Sequence, residues 1–262
     1  MIDTGALYGK LISTIEGMES EEFTVLLSNL AAVTPDYLRA HMEMEHSTPS
    51  PSGVTACRLQ QYLKKTDEEV TSKIPASWSL RAAAGTIGEP LWLALLRMAD
   101  VNVSFPEEGG YPCGPLMRAH PDGLIDQDGL LELKSTTGWT YKRLIEGIGV
   151  AYEEPKHYMQ AQLYMYATGR DWCLYLASTP DPALLQSMMR NYKKYGKEYE
   201  LPFCYLEVIK RREQDIEAGL ARAEMIVADR ESGILPPRDF DGRKNWPCNY
   251  CPYQVKCQET YG

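Results

Sequence analysis

Apolar residues recur at intervals of three and four over most of the chain, and at intervals of two over a shorter middle stretch. In residues 1–45, Leu11, Ile15 and Met18 make one helical stripe, and this region reads as two or three helices. A polar, proline-rich break follows at 46–53, with Ser52 placed to cap a helix through VTACRLQQYLKK that carries Cys57. A longer helix is predicted over roughly 79–99, with Leu80, Ala84, Ile87, Leu91, Leu95 and Met98 on its inner face. Pro90 is expected to kink or restart it.

The period then shortens. PLMRAHPDGLID and GLLELKST read as two strands joined by a tight turn at Asp126–Gly129, where Asp-Gly favours a hairpin. TGWTYKRLIEGIGVAYEE is broken by glycines, as a loop or interrupted helix. PKHYMQAQLYMYATG predicts a helix with Met159, Leu163 and Tyr166 inward and Gly169 as its stop. DWCLYLAST and FCYLEVIK are further strands, and EQDIEAGLARAEMIVADRESG is a long amphipathic helix. Strands interleaved with helices imply an α/β fold with a mixed central sheet flanked by helices. Its organisation is a helical region at 1–45 and a main domain at 46–262, ending in a cysteine-rich tail.

Composition adds limits. The 262 residues, 44% hydrophobic and 24% charged, suit a soluble globular protein. No apolar run approaches the roughly 20 residues of a membrane span, and the N-terminus lacks a secretory pattern, so a cytoplasmic protein with no membrane partner is expected. Seven cysteines, partly clustered, favour metal binding over disulfides in a reducing compartment. A net charge of −9 excludes a general nucleic-acid coat, but local basic runs remain at 191–199, 210–213 and 242–244.

The short-period stretch carries the candidate chemistry. On a strand over 129–135, Glu132 and Lys134 share one face while Leu131 and Leu133 take the other. The hairpin brings Asp122 back opposite residue 133 or 135. Two carboxylates and an ammonium on one patch suit phosphodiester hydrolysis, with Mg²⁺ or Mn²⁺ held by hard oxygen ligands and Lys134 offsetting developing charge. Glu89 lies among apolar residues and needs a cationic partner, either that metal or Arg81 or Arg97. Gln160 and Tyr164, four apart, share one helix face. His120 lies beside Asp122 as a further lining residue.

In order, Gly85-x-x-x-Glu89, Pro121-Asp122, Glu132-x-Lys134 and Gln160-x-x-x-Tyr164 resemble the RecB-type branch of the PD-(D/E)xK nucleases over roughly residues 50–260. Many members have His where this chain has Glu89. The resemblance implies a restriction-endonuclease-like core and a Mg²⁺- or Mn²⁺-dependent deoxyribonuclease. Its metal ligands would be Glu89, Asp122, Glu132 and the Leu133 carbonyl. The catalytic set it implies is Asp122, Glu132, Lys134, Gln160 and Tyr164. It also implies exonuclease action on DNA ends, often on single strands, with a helicase, annealing protein or integrase subunit as possible partner. Two alternatives are a DNA-trimming nuclease of CRISPR adaptation and a non-catalytic DNA-binding module with a structural metal.

Cys248, Cys251 and Cys257 follow a C-x2-C-x5-C spacing and lack a fourth ligand. In the iron–sulfur nucleases that the chain resembles, AddB and the CRISPR-adaptation nucleases, one cysteine precedes the core. Here that is Cys57, giving a [4Fe–4S] clasp that ties 46–78 to 245–262. A four-cysteine Zn²⁺ site fits the same spacing, and Cys113 is the other candidate for the fourth position. Cys173 and Cys204 read as small buried residues. For DNA, GWTYKR offers Trp139, Tyr141, Lys142 and Arg143, and 191–199 interleaves Tyr192, Tyr195 and Tyr199 with lysines.

Overall fold

Two helices, α1 (Thr4–Glu16) and α2 (Ser20–Met42), form the N-terminal region, followed by α3 (Arg58–Lys65) and α4 (Ala76–Met98). Short strands come next: β1 (Val103–Ser104), β2 (Tyr111–Cys113), β3 (Met117–Ala119) and β4 (Gly123–Ile125), then the longer β5 (Gly129–Ser135). The interrupted helix is α5 (Gly138–Glu146), α6 (Val150–Glu153) and α7 (Pro155–Thr168). It leads to β6 (Trp172–Ser178), β7 (Tyr205–Lys210) and α8 (Glu213–Ser232). The tail holds α9 (Trp246–Asn249) and α10 (Gln254–Tyr261). The computed structural model describes residues 2–16, 18–42, 49–65, 76–107, 109–114, 116–179, 190, 203–240, 246–249 and 251–261. The Lys/Tyr-rich stretch 191–199 and the basic residues 242–244 lie outside them.

The expected mixed sheet flanked by helices is the one observed. Its order is β1-β4-β5-β6-β7, with β5 and β6 parallel and the other neighbours antiparallel. A parallel step needs a crossover, and α5 to α7 supply it. Leu131, Leu133, Leu174 and Leu176 pack with the helices on one face, around Leu93, Leu96 and Tyr37. Leu130, Cys173 and Tyr175 pack on the other with Leu163, Ala161 and Ile226. Odd and even positions of β5 thus serve opposite layers. No described helix is long and apolar enough to cross a membrane.

Several local expectations change. The stretch 116–126 is not one strand: it breaks at His120–Asp122, and β3 pairs with β2 in a separate two-stranded sheet. Pro121 has no N–H to donate to a ladder, so pairing stops there. The register joins Gly123 to Leu131 and Ile125 to Gly129, which brings Asp122 level with Glu132 rather than with 133 or 135. Helix α4 runs through Pro90 unbroken, held by packing against α1, α2 and β5. Its inner face is only partly the expected one: Leu95 is buried and Met98 packs against the core, but Ile87 is 77% exposed and Leu91 39%, while Leu93 and Leu96 are buried. On α7, Tyr166 is exposed at 37%, and Gln160 and Tyr164 point inward instead. Ser52 does not cap α3. The Arg58 N–H is capped by Asp239 Oδ2 at 2.9 Å, and Cys57 sits just before the helix.

Candidate active site

The site lies where β4 stops and β5 continues. Beyond Leu131, the β4-side edge of β5 has no strand partner among the described residues. Asp122 fills that edge, its Oδ2 accepting the Leu133 N–H at 2.6 Å. A strand residue directs its N–H and C=O to the same neighbour, so the Leu133 carbonyl shares this edge. On the even face, Lys134 Nζ donates to Glu132 Oε1. Glu132 is fully buried, and its Oε2 has no hydrogen-bond partner among the described residues.

Helix α4 reaches the site through a close approach. A Cβ on Gly85 would stand 3.1 Å from the Ser135 Cβ, so glycine lets the helix lie against the end of β5. Glu89, one turn later on the same helix face, is carried to the site. Burial raises the Glu89 pKa, with repulsion from Asp122 and Glu132 adding and Lys134 opposing. Glu132 is likewise raised, by burial first and then by Asp122, against the pull of Lys134. Burial alone would lower Lys134, but Glu132, Asp122 and Glu89 outweigh it, so the ammonium stays charged. Tyr37 of α2 donates its hydroxyl to Glu89 Oε2. No salt bridge of Glu89 to Arg97 is found; Arg97 instead stands over the Phe105 ring at 5.9 Å. The Arg81 side chain lies outside the description.

Gln160 and Tyr164 are buried, and Gln160 Nε2 donates to the Tyr164 hydroxyl at 2.8 Å. The His120 backbone N–H also donates to the Tyr164 hydroxyl, so the pair braces the segment that presents Asp122. The His120 ring is packed against Gly110, where a Cβ would come within 2.4 Å of it. Sequence reasoning missed His157. Its Nδ1 lies 2.8 Å from the Tyr175 hydroxyl, and Tyr175 is the β6 neighbour of Glu132. Burial, then the charges of Lys134 and Lys156, push His157 down to about 3, so it is neutral. The signal was present: His157 stands three before Gln160, on one helix face.

The proposed DNA contacts separate. Trp139 is 79% exposed. Lys142 Nζ lies 3.8 Å from Glu146, and Arg143 pairs with Glu154, both at the surface of α5. Tyr141 has no exposed surface and belongs to the interior, so its ring is not offered to a base.

Cys57, Cys248, Cys251 and Cys257 line one cavity, together with Leu59, Leu63, Tyr253 and the cationic Lys156 and Arg238. Burial raises Cys251, and the three other thiols add to the shift, as expected when all four stand close. Two ion pairs hold the chain on either side of Cys57: Arg58, at the start of α3, with Asp229 at 2.6 Å, and Arg222, which reaches the residues before Cys57, with Asp239 at 2.5 Å. Arg222 also donates to the carbonyls of Val54 and Ala56. Cys113 is not part of this set; it is buried against α7, its Sγ 3.5 Å from the Leu163 carbonyl. Cys113 and Cys204 are pushed up to about 12 by burial, and Cys173 is also raised, as inert core thiols should be.

As the side chains stand, no three His, Cys, Asp or Glu groups among the described residues close tightly enough to grip an ion. The donor sets still fit metals. Among the described residues, three carboxylates stand about the Lys134 ammonium and one buried carboxylate oxygen lacks a partner, which suits a hard divalent cation. Four thiols in an apolar cavity lined by two cations suit a tetrathiolate centre.

No family model and no curated protein matches the chain. Among solved structures, it is similar to an alkaline exonuclease, LHK-Exo, from Laribacter hongkongensis. The identity is 19%, over 76% of this chain and 94% of that one, with a TM-score of 0.47. The same exonuclease in complex with dAMP matches at 20% identity, over 70% and 88%, with a TM-score of 0.45. A third structure, of SSO0001, matches at 16% identity, over 91% and 96%, with a TM-score of 0.49.

Proposed function

We propose that this chain is a Mg²⁺- or Mn²⁺-dependent deoxyribonuclease acting as an exonuclease on DNA ends, single-stranded ends above all. The observation that carries the reading is Glu132: a fully buried carboxylate with one oxygen unpartnered among the described residues, beside Asp122, Glu89 and Lys134. Leaving a buried carboxylate oxygen unsatisfied costs about 1–3 kcal/mol or more, which a bound cation offsets. A non-catalytic binding module gains nothing from keeping that arrangement.

Glu89, Asp122, Glu132 and the Leu133 carbonyl would hold the divalent metal. When bound, it polarises the scissile phosphate and makes coordinated water more acidic. Lys134 acts as a charged donor and not as a general base, because the surrounding carboxylates keep it protonated. It orients the attacking water and neutralises charge that develops on the phosphate oxygens. Asp122 is held by the Leu133 N–H, and Gln160 and Tyr164 brace the segment behind it. Trp139, Lys142 and Arg143, on the helix that follows β5, give the substrate strand a stacking surface and two cations.

Cys57, Cys248, Cys251 and Cys257 form, in this reading, a structural [4Fe–4S] site joining the two ends of the main domain. The cavity of four thiols supports a tetrathiolate centre, and the family resemblance favours iron–sulfur over Zn²⁺. Any unwinding comes from a partner, and recombination, repair or DNA processing is the setting. Incubating anaerobically purified protein with end-labelled linear and circular DNA, single- and double-stranded, tests the reading. Ladders from linear substrates with circles intact are expected; cut circles would make the enzyme an endonuclease.

A further inference from the structure

Tyr37 is fully buried near the end of α2, inside the apolar layer that covers one face of the sheet. A tyrosine in such a place needs a partner for its hydroxyl. It finds Glu89, 52 positions away on α4, donating to Oε2. No second hydrogen bond to Glu89 is found among the described residues. One phenolic donor therefore sets the direction of this carboxylate and leaves Oε1 for a cation.

We propose that Tyr37 is a positioning residue for Glu89, which makes the N-terminal helical region part of the catalytic unit. The inference rests on the nuclease reading above, in which Glu89 is a metal ligand. Groups that orient a ligand are worth about 10- to 100-fold in metal affinity. A carboxylate on a flexible side chain, unheld and half-buried beside two others, is otherwise pushed away from them by repulsion. Tyr37 opposes that drift from a rigid position: α2 packs along α4, with Val33 and Leu26 buried in the same layer.

The test is calorimetric titration of Mn²⁺ into the full chain, as wild type, Tyr37→Phe, Glu89→Ala and the double variant. Val33→Ala is the control, because it disturbs the same helix packing without touching the hydrogen bond. Phenylalanine keeps the ring, and the metal-free Tm of each variant reports on folding. Tyr37→Phe is expected to weaken Mn²⁺ binding about 10-fold, to raise the Mn²⁺ needed for half-maximal cleavage, and to leave the KM for DNA unchanged. Val33→Ala should bind Mn²⁺ as wild type does, and Tyr37→Phe should add no loss to Glu89→Ala. Equal affinity in wild type and Tyr37→Phe overturns the inference while the nuclease reading stands. So does a loss that is as large in the Glu89→Ala background, or one that Val33→Ala reproduces. If wild type binds no Mn²⁺, the nuclease reading fails first and takes the inference with it.

Discussion

The backbone N–H of Leu133 is bound to the Asp122 carboxylate at 2.6 Å, across an edge of β5 that no described strand covers. This bond joins the two halves of the hairpin where its ladder has ended. It explains why a proline precedes the aspartate: the ladder must stop for a side chain to take its place. Glu132 and Lys134, on either side of Leu133, then face the layer that carries Gln160 and Tyr164.

The approach of α4 depends on Gly85. Gly85→Val places a branched side chain where a Cβ already meets Ser135 at 3.1 Å. We expect a loss of about 1–3 kcal/mol in stability. Cleavage should fall further than stability does, because Glu89 moves with the helix. Chemical denaturation beside a cleavage assay at saturating Mn²⁺ measures both. Activity that follows only the folded fraction would count against the role given to the glycine.

A pH-dependent effect follows from His157. The folded protein keeps it neutral, with its pKa lowered from 6.5 to about 3, whereas the unfolded chain protonates it near 6.5. Its contribution to stability is complete above pH 6.5 and is lost as pH falls toward 3. His157→Gln should cost about 1 kcal/mol at pH 7 through the lost bond to Tyr175. The gap to wild type should shrink or reverse by pH 4. Parallel Tm profiles over that range would refute the assignment.

Much of this was legible along the chain. The two-residue alternation at Leu131–Lys134 announced one polar and one apolar face, and the four-residue spacing of Gln160 and Tyr164 put them together. The mixed sheet, the interrupted crossover and the Gly169 stop also followed from local patterns. What was not legible depends on tertiary approach. Helix α4 has small or apolar residues on every side, so periodicity chose Ile87 and Leu91, yet the glycine that touches β5 sets the inner face. The capping of Arg58 by Asp239 and the bond from Tyr37 to Glu89 join residues far apart, and no local signal marks either. Tyr141 looked like a DNA contact because its neighbours are basic, but the helix turns it inward.

That difference around Tyr141 is itself testable. Trp139→Ala should weaken single-strand binding by about 1 kcal/mol or more, the value of one stacked base. Tyr141→Phe should leave it unchanged. Fluorescence anisotropy with labelled oligonucleotides, in Ca²⁺ to suppress cleavage, compares the two. Equal losses would place the strand elsewhere.

The thiol cavity predicts metal content. Anaerobic wild type should carry about four iron and four sulfide per chain, and Cys57→Ser should lose them together with thermal stability. Cys113→Ser, buried against α7, should retain them. About one zinc per chain instead of iron would replace the cluster with a four-cysteine Zn²⁺ site.

The central claim is that Glu132 and Lys134 do hydrolytic work. The most direct measurement is the rate of Mg²⁺- or Mn²⁺-dependent degradation of end-labelled linear DNA by wild type, Lys134→Ala and Glu132→Gln, all with their cysteine-site metal intact. Rapid degradation by wild type is predicted, with a fall of at least about 100-fold in either variant. Variants that cut as fast as wild type, or a wild type that cuts no DNA under any of these conditions, would contradict it.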